Sequence, residues 1–169
     1  GCTASAPATV TVKDKVTPAF TNPGPICSGA TLTLPTSSNN NSNLTGSAVT
    51  GTWSPTVSNT ATTTYTFTPT ASPDQCASTA TMTVTVNQLP SVAVNSPTVC
   101  KGTVASLTAS GATSYTWSPS TNLSAATGAN VSYSSSVNAG TYNVTVTGTS
   151  NGCTASAPAT VTVKDKVTP

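Results

Sequence analysis

Apolar residues in this chain recur at every second position in short runs. Leu32 and Leu34, Tyr65 and Phe67, then Met82, Val84 and Val86 form one set. Val92 and Val94, Tyr142, Val144 and Val146, then Val161 and Val163 form another. A period of two is the mark of a strand with one buried face. Thr fills most of the intervening positions, where a β-branched side chain suits a pleated surface. Prolines 23, 25, 35, 55, 69, 73, 90, 97, 119 and 158 punctuate the runs, mostly at expected turns. No segment carries an apolar stripe of helical period. The pattern predicts an all-β chain built from small Greek-key β-sandwich domains.

Internal repetition organises these strands. Residues 1–18, GCTASAPATVTVKDKVTP, return unchanged at 152–169, an offset of 151 residues. Identity over the whole segment reads as one period of a tandem array plus an overlap with the next copy. A more diverged repeat lies inside that period. Trp53-Ser54-Pro55 is echoed by Trp117-Ser118-Pro119, and Cys27-Ser28-Gly29 by Cys100-Lys101-Gly102. Tyr65 precedes Cys76 by the same interval that separates Tyr142 from Cys153. These landmarks predict the last strand and exit linker of a preceding repeat at 1–18, a first sandwich at 19–88, a second at 89–165 and a linker at 166–169.

Five cysteines in a Thr-rich chain with few charges indicate an oxidising compartment. The in-register repeat implies the disulfides Cys27–Cys76 and Cys100–Cys153, each closing a loop of about 50 residues and stabilising by roughly 4 kcal/mol. Cys2 is the copy of Cys153 and is expected to lack its partner here. No Cys-x-x-Cys spacing occurs and the chain has no histidine, which argues against zinc. Trp53 and Trp117 are read as core packing on a third strand, each followed by the same Ser-Pro turn.

The run Cys-x-Gly, Leu, Trp-Ser-Pro, Thr-Tyr-x-Val/Phe-Thr, Cys and Thr-Val-Thr-Val resembles the immunoglobulin-like and PKD-like repeats of very large Bacteroidota surface proteins, gliding-motility-type adhesins among them. The resemblance covers nearly all of 19–165. It implies secretion, anchoring elsewhere in the parent protein and a spacer or fibre role, and it carries over no catalytic or ligand-binding residue.

Charge narrows the function classes further. Only 5% of residues are charged and the net charge is +2, so no basic patch suited to nucleic acid exists. No run of about 18 apolar residues is present to span a membrane. Without His or Glu, and with Asp14 and Asp165 each flanked by lysines, the inventory for acid–base catalysis is thin, and an enzyme is not expected. Asp74 reads as a turn residue bonding its own backbone. Calcium would need several clustered carboxylates, so neither metal nor cofactor is expected. Gly1-Cys2 has the look of a lipoprotein end, but the same dipeptide at Gly152-Cys153 is explained by the repeat. The Thr-x-Thr strings are read as ordinary outward strand faces, not as an ice-binding array. Lys-Asp-Lys at 13–15 and 164–166 reads as a solvated junction, with a lateral or end-to-end fibre contact as the alternative.

A surface with so little charge must still avoid edge-to-edge pairing, and sugar would serve. Sequons stand at Asn40, Asn43, Asn122, Asn130 and Asn143, while Thr62 and Thr64 are candidates for O-linked sugar. The junctions Asn87-Gln88-Leu89-Pro90 and Lys166-Val167-Thr168-Pro169 are short and end in proline, which suits a semi-rigid rod better than a flexible coil. The expected function is a non-catalytic, glycosylated structural unit of an extracellular fibre, stalk or surface adhesin, its partners being neighbouring copies end to end. The alternative is an adhesive module recognising glycans or surfaces through its loops. Residues 1–18 are read as covalent continuation of a preceding domain, with a strand donated between subunits as the other possibility.

Overall fold

The structure, a computed structural model, describes residues 1–10, 12, 15–39, 48–71, 76–134 and 136–167. The chain is all-β and separates into two compact units, Gly1–Val86 and Asn87–Pro169.

The second unit shows most plainly how the sequence becomes a sandwich. Its strands are β8 (Ala93–Val94), β9 (Thr98–Cys100), β10 (Ala105–Ser110), β11 (Ser114–Ser118), β12 (Asn130–Tyr133), β13 (Gly140–Ser150) and β14 (Cys153–Lys164). One sheet runs β12-β10-β8 and the other β11-β13-β14-β9. From β10 to β13 the chain changes sheet at every step, which gives the Greek-key connectivity of an immunoglobulin-like sandwich. Alternation selects the buried face: Ala105, Leu107 and Ala109 from β10, Tyr115 and Trp117 from β11, Val131 and Tyr133 from β12, Val144 and Val146 from β13, and Ala159, Val161 and Val163 from β14 form one core. Gly148 lies where a Cβ would come within 2.6 Å of both Ala112 Cβ and Val92 Cγ2, so the sheets approach too closely there for any side chain.

Two local devices set the topology. Asn151 and Gly152 both have positive φ, 50° and 77°, forming the two-residue turn whose twist matches antiparallel strands. It joins β13 to β14 along eleven paired positions, from Ser150↔Cys153 to Gly140↔Val163. At the other edge the segment after β8 changes sheets. Asn95 donates to Ser106 O and accepts from Thr108 N on β10. Ser96 Oγ then accepts from Thr160 N, and Pro97 O from Thr162 N, both on β14. β9 consequently runs parallel to β14, with Thr162↔Thr98, Val163↔Val99 and Lys164↔Cys100 as partners.

The first unit contains β1 (Lys15–Val16), β2 (Ile26–Cys27), β3 (Gly51–Ser54), β4 (Thr63–Pro69), β5 (Cys76–Ala77) and β6 (Ala80–Val84), and the run continues into β7 (Val86–Asn87). β3, β4 and β6 form an antiparallel sheet. Leu34, Tyr65, Met82 and Val84 make its core, with Phe20, Ile26, Leu32 and Trp53 packed against it. Phe20, Trp53 and Phe67 pack as an aromatic triad with centroids 4.6–5.1 Å apart. Leu32 and Leu34, expected on a strand, face this core without a named strand around them. Both tryptophans donate Nε1–H to a backbone carbonyl, Trp53 to Pro35 and Trp117 to Gly128. That satisfies the single polar atom of each large ring, buried at Trp117 and half-buried at Trp53.

The two units differ in one register. Trp53 lies opposite Phe67 and Trp117 opposite Val146, while Tyr65 lies opposite Met82 and Tyr142 opposite Val161. With the cysteines aligned, the residue corresponding to Met82 is Ala159, whose cross-strand partner is Val144. Tyr65 is therefore matched in space by Val144, and Tyr142 lies two residues farther along. A shift of two keeps the same face inward, so the core tolerates it.

Candidate functional site

The cysteines and the Lys-Asp-Lys junction are the residues through which the sequence pointed beyond packing. Cys153 opens β14 and is buried, whereas Cys76 and Cys100 carry free, exposed thiols. The disulfide-bonded cysteines are Cys27 and Cys153. The expected pairs Cys27–Cys76 and Cys100–Cys153 are thus not formed, and strand direction explains why. Because β9 is parallel to β14, Cys100 lies beside Lys164 at the end of that strand, while Cys153 lies at its start beside Ser150. Eleven residues separate Cys153 from Lys164, roughly 36 Å at strand rise, against a Cα separation of about 4.4–6.8 Å in a disulfide. The first unit repeats the arrangement. Ile26 N donates to Thr85 O next to Cys27, and Cys76 lies nine residues upstream of Thr85, roughly 30 Å of extended chain.

Cys76 has its own neighbour. β5 runs parallel to β1, with Lys15↔Cys76 and Val16↔Ala77 as partners, and Ser78 N donates to Val16 O. Lys15 is thus held beside a cysteine, while Lys13 and Asp14 lie outside the described residues. In the second copy of the motif Lys164, Asp165 and Lys166 are exposed, and Lys101 N donates to Lys164 O.

The repeated segment occupies two different environments. Val161 and Val163 are 0% and 2% exposed in β14, whereas Val10 and Val12, in identical sequence, are 87% and 90% exposed. Cys2 is likewise exposed and free, where its copy Cys153 is buried.

The candidate sugar sites separate by role. Asn122, Asn130 and Asn143 are exposed, although Asn143 Oδ1 accepts from Thr160 Oγ1 and Asn122 Nδ2 reaches Tyr133 Oη. Thr64 is exposed and shares a 2.7 Å hydrogen bond with Thr83. Thr62 Oγ1 accepts from Val86 N at 2.9 Å, so it closes the backbone of β7 and is less suited to carry sugar. Asn40, Asn43 and Asp74 lie outside the described residues.

An open groove of about 260 Å³ is lined by Val104, Asn122, Leu123, Ser124, Ser132 and Ser134. It offers hydroxyls, amides and two apolar side chains with no ionisable group, so it has nothing to run acid–base chemistry. Among the described residues no three His, Cys, Asp or Glu side chains gather to hold a metal ion. Among these residues, too, no helix is long and apolar enough to cross a membrane.

Sequence reasoning missed the hairpin that governs this site. Asn151-Gly152 between two alternating runs is the strongest short-range hairpin signal, and it places Cys153 at the far end of β14 from Cys100.

No family model and no curated protein match the chain. Among solved structures it is similar to a chimeric titin Z1Z2 carrying a decorin peptide, at 17% identity over 46% of this chain and 91% of that one, with a TM-score of 0.32. It is also similar to Sidekick-1 immunoglobulin domains 1–5, at 16% identity over 62% of this chain and 26% of that one, TM-score 0.33. The titin immunoglobulin tandem A164–A165 matches at 13% identity over 69% of this chain and 74% of that one, TM-score 0.31.

Proposed function

We propose that the chain is one period of a longer covalent array of immunoglobulin-like sandwiches, acting as a non-catalytic structural unit of an extracellular fibre, stalk or surface adhesin. The observation that carries the reading is the double life of one sequence. Val161 and Val163 are core residues of a complete sandwich, while Val10 and Val12 of the same segment are exposed. Apolar side chains left open to water are costly, at about 25 cal/mol per Å². The surface that covers it elsewhere in the molecule is the one formed by residues 89–151, and a preceding copy would supply it.

The disulfide-bonded Cys27 and Cys153 support an oxidising, extracytoplasmic setting. The groove beside Leu123 lacks the exposed aromatics or charges of a recognition site, which favours the structural reading over a glycan-binding one. Exposed Asn122, Asn130, Asn143 and Thr64 would carry sugar. Sequencing the coding region outward tests the proposal: further in-frame copies of the 151-residue period are expected, and unrelated flanking sequence on both sides would refute it. Intact mass of a natural fragment spanning residues 1–169 tests the glycans, because a value of the bare 16.6 kDa would exclude them.

A further inference from the structure

We infer that Cys100 of one copy and Cys76 of the next form a disulfide across each boundary between periods. The inference rests on the array reading and deepens it by naming the contact that joins successive copies.

The repeated segment is held beside two different cysteines. Lys164 of the repeated segment lies beside Cys100. Lys15, which is Lys166 of the preceding copy by the 151-residue offset, lies beside Cys76. In a continuous array both settings belong to one stretch of chain, Lys164-Asp165-Lys166. Cys100 of the earlier copy would flank its first lysine and Cys76 of the later copy its second. Two residues of strand span roughly 7 Å, at the upper end of the Cα separations that a disulfide bridges. The chain leaves regular strand at Asp165, so strand alternation does not hold the two cysteines on opposite sides.

A second observation is independent of this register. Cys27 corresponds to Cys100 and Cys153 to Cys76 in the internal repeat, and Cys27 and Cys153 are the disulfide-bonded cysteines. The unbonded pair is exposed, and neither member can reach the other cysteine of its own sandwich. Cys2 then falls into place as the preceding copy's Cys153 by the 151-residue offset, a position that is disulfide-bonded. Every cysteine within an array has a partner under this scheme.

The chemistry balances by exchange with an oxidised dithiol carrier. One thiolate attacks the carrier disulfide to give a mixed disulfide, and the second thiolate displaces the carrier. The two cysteines lose two electrons and two protons, and the carrier leaves as its dithiol.

The test uses a two-period chain, residues 1–151 followed by 1–169, folded under oxidising conditions and alkylated in denaturant without reductant. The single chain has three free cysteines. The added copy leaves the count at three if the boundary bond forms and raises it to five if it does not. Peptide mapping must then find Cys100 of the first copy linked to Cys76 of the second. A count above three, or a different linkage, overturns the inference. Changing the first copy's Cys100→Ser should free the second copy's Cys76 and raise the count by one. The array reading is judged separately, by the reduced mass of the natural protein. A long reduced chain whose periods retain free Cys76 and Cys100 would keep the array and remove the bond. Reduced units of 16.6 kDa would remove the array itself.

Discussion

Val10 and Val161 have the same neighbours in sequence and opposite exposures, 87% and 0%, so the same substitution should be costly at one and near neutral at the other. Val161→Ala removes two methyl groups from the core shared with Val144, Val146 and Leu107. At about 0.8 kcal/mol per buried carbon, with a further term of order 1 kcal/mol for the cavity left behind, the loss is about 2–3 kcal/mol. Val10→Ala removes the same atoms from water and should change stability by less than about 0.5 kcal/mol. The assay is urea denaturation followed by Trp117 fluorescence in a Trp53→Phe background, so that only the second sandwich reports. With a urea slope of about 1–1.5 kcal/mol per molar for so small a domain, Val161→Ala should lower the midpoint by roughly 1.3–3 M. Val10→Ala should leave it in place. Equal shifts from the two substitutions would refute the assignment of Val161 to the core and of Val10 to solvent.

Three further substitutions test the devices that shape the second sandwich. Gly152→Ala forces a Cβ onto a residue at φ 77° and should cost about 1–2 kcal/mol, read as a fall of roughly 4–15 °C in the thermal midpoint by circular dichroism. Tyr115→Phe removes a hydroxyl that donates to Ala112 O at 2.8 Å and accepts from Ala112 N at 2.7 Å, and should cost about 1–2 kcal/mol in urea denaturation. Gly148→Val drives its side chain into Val92 and Ala112. It should destabilise by at least about 1–3 kcal/mol, read in the same denaturation assay, and a wild-type midpoint would contradict the close sheet approach.

The strands were largely legible because their signal is local. Val144 and Val146, Val161 and Val163, and Tyr65 and Phe67 alternate with polar neighbours and are found on β13, β14 and β4. Pairing was less legible because it is decided by turns and edges. The Asn151-Gly152 turn and the Asn95–Pro97 sheet change together put Cys100 at one end of β14 and Cys153 at the other. A spacing argument treats the strand starts as neighbours and therefore proposes the wrong bonds. Landmark spacing likewise aligned Tyr142 with Tyr65, although cross-strand register matches Tyr65 to Val144. An intervening loop can absorb two residues without turning any side chain out of the core. The repeat itself was legible from identity alone. What identity could not give is that the same eighteen residues bring a different cysteine beside each lysine of the junction.

The central claim is that periods of this chain continue one another covalently. Its most direct test is the mass of the natural protein after denaturation with reductant, which removes every disulfide and every non-covalent contact between copies. The account predicts a single chain far larger than 16.6 kDa, cut by limited proteolysis into a ladder whose rungs are spaced by the 151-residue period. Release of uniform units near 16.6 kDa would contradict it and assign residues 1–18 to a strand exchanged between separate subunits.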